Sequence, residues 1–131
     1  MSMQFKYPTF EAIVEFNRQE VSSSSEQYEL EDENRLRKIL EDVKREGESL
    51  PTKEALIKKA SFLLFRITSV QPFHEGNKRT AYVTTKAFLN ANGFSIHFSK
   101  EEVFEILGGI VFGRIHLNHV EEWLKDRLIK L

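Results

Sequence analysis

The chain has 131 residues, of which 40% are hydrophobic, a size and apolar content that suit one domain with a buried core and a charged shell. Nineteen Lys and Arg against twenty Asp and Glu leave a formal charge of -1, so no bulk positive field draws nucleic acid, and the lack of cysteine excludes disulfide staples and thiolate metal sites. No stretch reaches the ~20 apolar residues of a spanning helix, and the opening MSMQFKYPTF has no signal-type apolar run, so a soluble, cytoplasmic protein is expected.

In chain order, Phe10, Ile13, Val14 and Asn17 fall on one stripe of a short first helix, which the serine run Ser22 to Ser25 stops. From about Glu29 to Glu46, Leu36, Ile39, Leu40 and Val43 recur at i, i+3, i+4, i+7 among charges, the mark of an amphipathic helix ending at Gly47. The charge run from Glu29 to Glu48 is then its solvated face. A third helix is predicted from a Thr52 cap to Val70; Leu56, Ile57, Ala60, Leu63, Leu64 and Ile67, with Phe62 and Phe65, make it apolar nearly all round, so it belongs in the middle of the protein.

A fourth helix runs from about Asn77 to Asn92, burying Ala81, Thr84 or Thr85, and Phe88, and stopping at Gly93. FSIHFS, residues 94 to 99, alternates like a short extended piece. Ser99 with Glu102 forms a capping box for a helix through Val103, Ile106 and Leu107, which Gly108-Gly109 interrupts or tightens, and whose apolar residues could serve a dimer or the core. Asn118 with Glu121 reads as another N-cap, opening a last helix through Val120, Trp123, Leu124 and Leu128 toward Leu131. The sum is five or six helices with hardly any strand, no repeat and no linker: an all-α, single-domain bundle over 1–131.

The chemistry gathers in QPFHEGNKRTA, residues 71 to 81. A helix N-terminus leaves backbone N–H groups unpaired and carries partial positive charge, so it attracts anions before any side chain contributes. Gly76 permits a sharp turn and close approach to those amides, Asn77 and Lys78 can donate, Arg79 offers a fork for two phosphate oxygens, and Glu75 is placed to hold Mg²⁺. Such a set describes a nucleotide polyphosphate site. The same letters also fit a plain helix-to-helix turn, with Glu75 and Asn77 capping and Lys78 and Arg79 solvated; they do not fit a Walker A loop.

The stretch resembles the Fic and death-on-curing (Doc) family, whose signature reads His-x-Phe-x-[Asp/Glu]-[Gly/Ala]-Asn-[Gly/Lys]-Arg on a loop entering a helix. Phe73, Glu75, Gly76, Asn77, Lys78 and Arg79 match it position by position, and KAFLNANGF behind the loop and the late EEWLK look like the Doc branch. The resemblance implies a small helical bundle that transfers AMP or, in Doc, a phosphate from ATP to a hydroxyl of a target protein, as a toxin with an antitoxin peptide as possible partner. It implies Glu75 as Mg²⁺ ligand, Gly76 and Asn77 as anion nest, Arg79 as phosphate clamp, Lys78 as a phosphate or nucleotide contact, and Phe73 as the anchor of the loop. Lys78 followed by Thr80-Ala81 points to phosphate transfer, and Tyr82 stands where adenylylating members carry a second arginine.

Gln71 occupies the place of the family's histidine, which takes the proton from the attacking hydroxyl. A primary amide can orient that hydroxyl but cannot accept its proton, and general-base assistance is typically worth ~10²–10⁴-fold, so turnover is expected to be reduced, whether Gln71 is natural or was introduced to silence a toxic enzyme. His74, three residues on, is the one nearby base, but it sits at a variable place of the signature. Ser22-x-x-x-Glu26 resembles the inhibitory motif of self-regulated Fic proteins only faintly. His116 and His119 lack a third ligand and read as surface residues, and His97 reads as structural or exposed. The rival readings are a non-catalytic Fic-fold module that binds nucleotide or an antitoxin, and a plain structural helical protein.

Overall fold

The computed structural model describes residues 4–23 and 28–131. Among them are six helices, α1 (Phe10–Ser23), α2 (Glu33–Val43), α3 (Thr52–Val70), α4 (Asn77–Ala91), α5 (Lys100–Val111) and α6 (Leu117–Arg127). Two short strands, β1 (Phe94–Ile96) and β2 (Leu128–Lys130), pair antiparallel with Ser95 opposite Ile129. The all-α reading stands.

The sequence of α3 explains the architecture. Because it is apolar on nearly every side, it is stable only if covered all round. α2, α4, α5 and α6 do so, leaving Leu56, Ala60, Leu63 and Ile67 with no exposed surface. Both Thr84 and Thr85 of α4 are fully buried beside it. A second, smaller cluster of Ile13, Leu36 and Phe73, flanked by Phe10, Val14, Tyr28 and Leu40, joins α1 and α2 to the loop after α3.

One charged side chain lies inside this packing. Lys59 of α3 is 2% exposed, and its Nζ donates to the carbonyls of Lys44 (3.0 Å) and Val43 (3.4 Å) at the end of α2, while lying 5.2 Å and 5.5 Å from the ring centres of Phe5 and Tyr7. The terminal carbonyls and partial negative charge of a helix C-terminus, with aromatic faces, are what an ammonium needs in place of water.

Several element ends differ from expectation, each for a local reason. α2 begins at Glu33 rather than Glu29: the Asp32 carboxylate accepts from the Arg35 N–H at 3.0 Å and caps it, and the residues before it are extended because they bond to the loop at 72–74. It ends at Val43, with Gly47 (φ 73°) in the turns that follow. Thr52 is the first residue of α3, not its cap; Pro51 holds the cap position without a side-chain bond. α5 has the capping box of Ser99 and Glu102 but runs unbroken through Gly108-Gly109. A Cβ on Gly109 would lie 2.4 Å from Ile115 Cδ1, so this glycine admits Ile115 against the helix.

The cap of α6 is His116, whose N–H donates to His119 Nδ1 at 3.0 Å; Asn118 lies inside the first turn and caps nothing. That helix stops at Arg127, because Leu128 to Lys130 pair with β1 and the Leu131 N–H continues to the Gly93 carbonyl at 2.9 Å. Among the described residues no helix is long and apolar enough to cross a membrane.

Candidate functional site

At the end of α3 the chain reverses at Gln71, a non-glycine residue in the left-handed region (φ 52°, ψ 65°) whose N–H still reaches the Ile67 carbonyl at 3.1 Å. That conformation costs a side-chain-bearing residue about 1–2 kcal/mol, so the surroundings must hold it. They do so from three sides. The Pro72 carbonyl accepts from the N–H groups of Glu31 (2.9 Å) and Asp32 (3.0 Å), and the His74 N–H donates to the Glu29 carbonyl at 2.8 Å. The Asn77 amide closes on Phe73, with Nδ2 donating to its carbonyl at 2.8 Å and Oδ1 accepting its N–H at 3.0 Å. From α1, Asn17 Nδ2 donates to the Glu75 carbonyl (2.8 Å) and to Thr80 Oγ1 (3.0 Å). Phe73, 1% exposed, plugs the smaller core beneath. Loop 71–76 is therefore set by the fold before anything binds.

Gly76 then starts α4, as its N-cap, at φ 76°. A Cβ there would come 2.9 Å from Val21 Cγ1 and 3.1 Å from Asn17 Nδ2, so both backbone angle and space require glycine. The first helical bond runs from the Thr80 N–H to the Gly76 carbonyl at 2.9 Å. Among the described residues no side chain caps the helix, and the Asn77 amide is turned to Phe73. The plain-turn alternative is thus half realised, since Asn77 braces the turn but does not cap.

This N-terminus opens into a cleft of about 940 Å³ between α4 and α5. Gly76, Asn77, Lys78 and Arg79 form one end; Tyr82, Phe98, Val103, Phe104 and Leu107 give it largely apolar walls, and Lys100 adds a third cation. The structure brings together four of the six site residues expected from sequence. Gln71 and Glu75 are not among the lining residues. Gln71 is exposed at the head of the loop, and Glu75 is part-buried beside Asn17.

Glu75 Oε2 is buried and has no hydrogen-bond partner among the described residues, and neither has Asn17 Oδ1. A carboxylate oxygen shielded from water without a donor suits a hard cation, so the donor chemistry fits Mg²⁺. Among the described residues no group of three or more acidic, His or Cys side chains could hold a metal, so such an ion would take its other ligands from water and phosphate.

His74 is exposed, with Nδ1 3.5 Å from Glu31 Oε2, and so is directed to the 29–31 segment and not to the cleft. Tyr82 packs on Phe98 with ring centres 5.3 Å apart. Of the Ser22-x-x-x-Glu26 pattern, Glu26 lies outside the described residues. His116 and His119 are exposed and form the cap of α6, and His97 is exposed with its N–H on the Arg127 carbonyl at 3.3 Å.

Sequence reasoning missed the supports. Asn17 was visible only as a polar residue on an apolar stripe, a signal of a buried hydrogen-bonding task. The 29–32 clamp and the α5 wall gave no local signal, since both exist only through pairing across the fold.

What these features define is a helical protein with a rigid, cationic helix N-terminus beside an apolar cleft. The sequence model of the Fic/DOC family matches residues 7–89, more than half of the 131 and including the whole loop and most of α4. The chain belongs to the Fic/DOC family. A search among curated proteins finds no match.

Proposed function

We propose that this protein binds Mg-ATP at the start of α4 and transfers a phosphate, or less readily AMP, to a hydroxyl of a protein target, as a Doc-like toxin of the cytoplasm whose turnover is lowered by Gln71. The observation that carries the reading is Gly76: a left-handed glycine, enforced by Val21 and Asn17, at the start of α4 beside Lys78 and Arg79, where no side chain among the described residues caps the first amides. A triphosphate meets there the positive end of a helix and two cations.

The amides of Asn77 and Lys78, with Gly76, serve as the anion nest, Arg79 clamps phosphate oxygens, and Lys78 holds phosphate or nucleotide. Asn77 contributes through its backbone, its side chain being engaged with Phe73. Glu75 would hold Mg²⁺, which neutralises phosphate charge when bound. In phosphate transfer the target oxygen bonds to the terminal phosphorus as the bond to the leaving ADP oxygen breaks. The hydroxyl proton passes to water or to phosphate, because the Gln71 amide orients but does not accept it. In a loose transfer the proton leaves late, and positioning and charge account for most of the catalysis.

The test is incubation of the protein, and of Gln71→His, with ATP labelled at the terminal or the first phosphate in cell extract. Terminal label on a protein, raised about 10²–10⁴-fold by the histidine, is the expected result. First-phosphate label would instead identify AMP transfer, and no label from either protein would refute a transferase. The largely apolar walls at Tyr82, Phe98, Val103 and Leu107 support the second reading, a non-catalytic module that takes an antitoxin peptide along the cleft.

A further inference from the structure

α5 has two apolar faces, and only one is used by the fold. Leu107 and Ile110 are buried in the core, with Val103 and Ile106 packed against it. On the opposite side Phe104 is 62% exposed, Phe112 74% and Val111 38%. At 100° per residue these three lie within about 60° of Gly108, so Gly108 is the centre of an outward apolar stripe.

The two neighbouring glycines differ in the same way. Gly109 is explained inside the chain, because Ile115 occupies the space of its Cβ. A Cβ on Gly108 would meet nothing within 4 Å among the described residues, and its φ is not left-handed. Glycine weakens a helix interior relative to alanine, so nothing among the described residues favours it at 108. A helix crossing from outside, close enough to need the missing side chain, does.

The charges around the stripe select the occupant. Glu101 and Glu105 lie on the same face toward the N-terminus of α5, and Arg114 follows its C-terminus, with its guanidinium 5.6 Å from the centre of the Phe112 ring. Acidic at one end and basic at the other, with a gap in the middle, the face is complementary to itself turned through 180°. Two-fold association asks for that property, since each copy must offer the same patch to the other.

We propose that two copies of this chain associate through α5, antiparallel and crossing at Gly108, so that Phe104 of each meets Phe112 of the other and Arg114 of each faces Glu101 and Glu105 across the seam. The register follows from the crossing point, since residues four before and four after Gly108 come opposite each other. Phe104 is also a wall of the cleft, so Phe112 of the partner subunit sits at the cleft mouth and association narrows access to it. A single helix pair is a small interface, and dissociation in the micromolar range is expected.

Sedimentation equilibrium over a wide concentration range tests this. The mass should rise from 15.3 kDa toward twice that value as concentration increases. Phe112→Asp should hold the monomer mass throughout, with an unchanged far-ultraviolet spectrum because Phe112 is on the surface. Gly108→Ala should raise the melting temperature of the dilute monomer yet weaken association, a split that a purely internal role for Gly108 would not produce. Arg114→Glu should weaken self-association by about tenfold. A mixture of Arg114→Glu with the double variant Glu101→Lys, Glu105→Lys should recover a heterodimer. A monomer at every concentration, or a dimer indifferent to Phe112→Asp and Arg114→Glu, would overturn the proposal.

Discussion

The loop at 71–76 reaches the cleft through Gly76 and the outer face of α5 through Phe104, and the two are built in opposite ways. Around the loop most backbone groups have a partner: Asn77 on Phe73, Asn17 on Glu75, and residues 29–32 on Pro72 and His74. On α5 the outward side chains Phe104, Val111 and Phe112 have large exposed surfaces. The first arrangement holds the loop backbone through hydrogen bonds from three sides, while the second leaves apolar side chains uncovered by the fold. The difference teaches that one fold can hold a loop by hydrogen bonds across the chain and, a short way off, leave an apolar helix face without internal cover.

If the loop is the rigid side, replacing its pivot should have the largest effect. Gly76→Ala combines a left-handed alanine with a Cβ pressed against Val21 and Asn17, and should lower unfolding free energy by about 3 kcal/mol in denaturant titration. Next, Asn77→Ala leaves both the N–H and the carbonyl of buried Phe73 without their partner and should cost about 2 kcal/mol, with nucleotide affinity falling alongside although the Asn77 side chain is engaged with Phe73. Loss of stability with affinity intact would break the link between loop rigidity and binding.

A smaller effect is expected where α5 joins α6. The Glu102 carboxylate accepts a hydrogen bond from Arg127, and this bond above all, helped by the Ser99 N–H, holds its pKa below the ordinary carboxylate range. A lowered folded value means the group stabilises the fold above the ordinary carboxylate range and ceases to do so as pH falls through the lowered value. Unfolding curves of the native protein and Glu102→Gln should therefore differ at neutral pH and converge in acid; a gap that persists in acid would show that packing, not charge, sets the difference. Least affected of all should be Phe112→Ser in dilute protein, where stability should change by less than about 0.5 kcal/mol, since this ring is on the surface.

Much of this was legible in the letters. The period of Leu36, Ile39, Leu40 and Val43 gave α2, the apolar circuit of α3 gave the central helix, and Gly76-Asn77-Lys78-Arg79 gave a helix start with cations at one end of the cleft. What could not be read was whatever depends on partners distant in sequence. The start of α2 moved because residues 29–32 bond to 72–74, α6 ended early because Leu128 joins β1, and Gly109 proved to be a socket for Ile115 and not a break. Periodicity reports which face of a helix is apolar; it does not say which of two apolar faces the core will claim, and α5 has both.

Lys59 carries a practical consequence. Its amine is sealed between the end of α2 and the rings of Phe5 and Tyr7, so an acylating reagent given to the folded protein will modify surface lysines and leave this one bare. The adduct at residue 59 can form only when the end of α2 or the segment of Phe5 and Tyr7 lifts away, and its rate of appearance in a mass spectrum is a built-in clock for the opening of that enclosure.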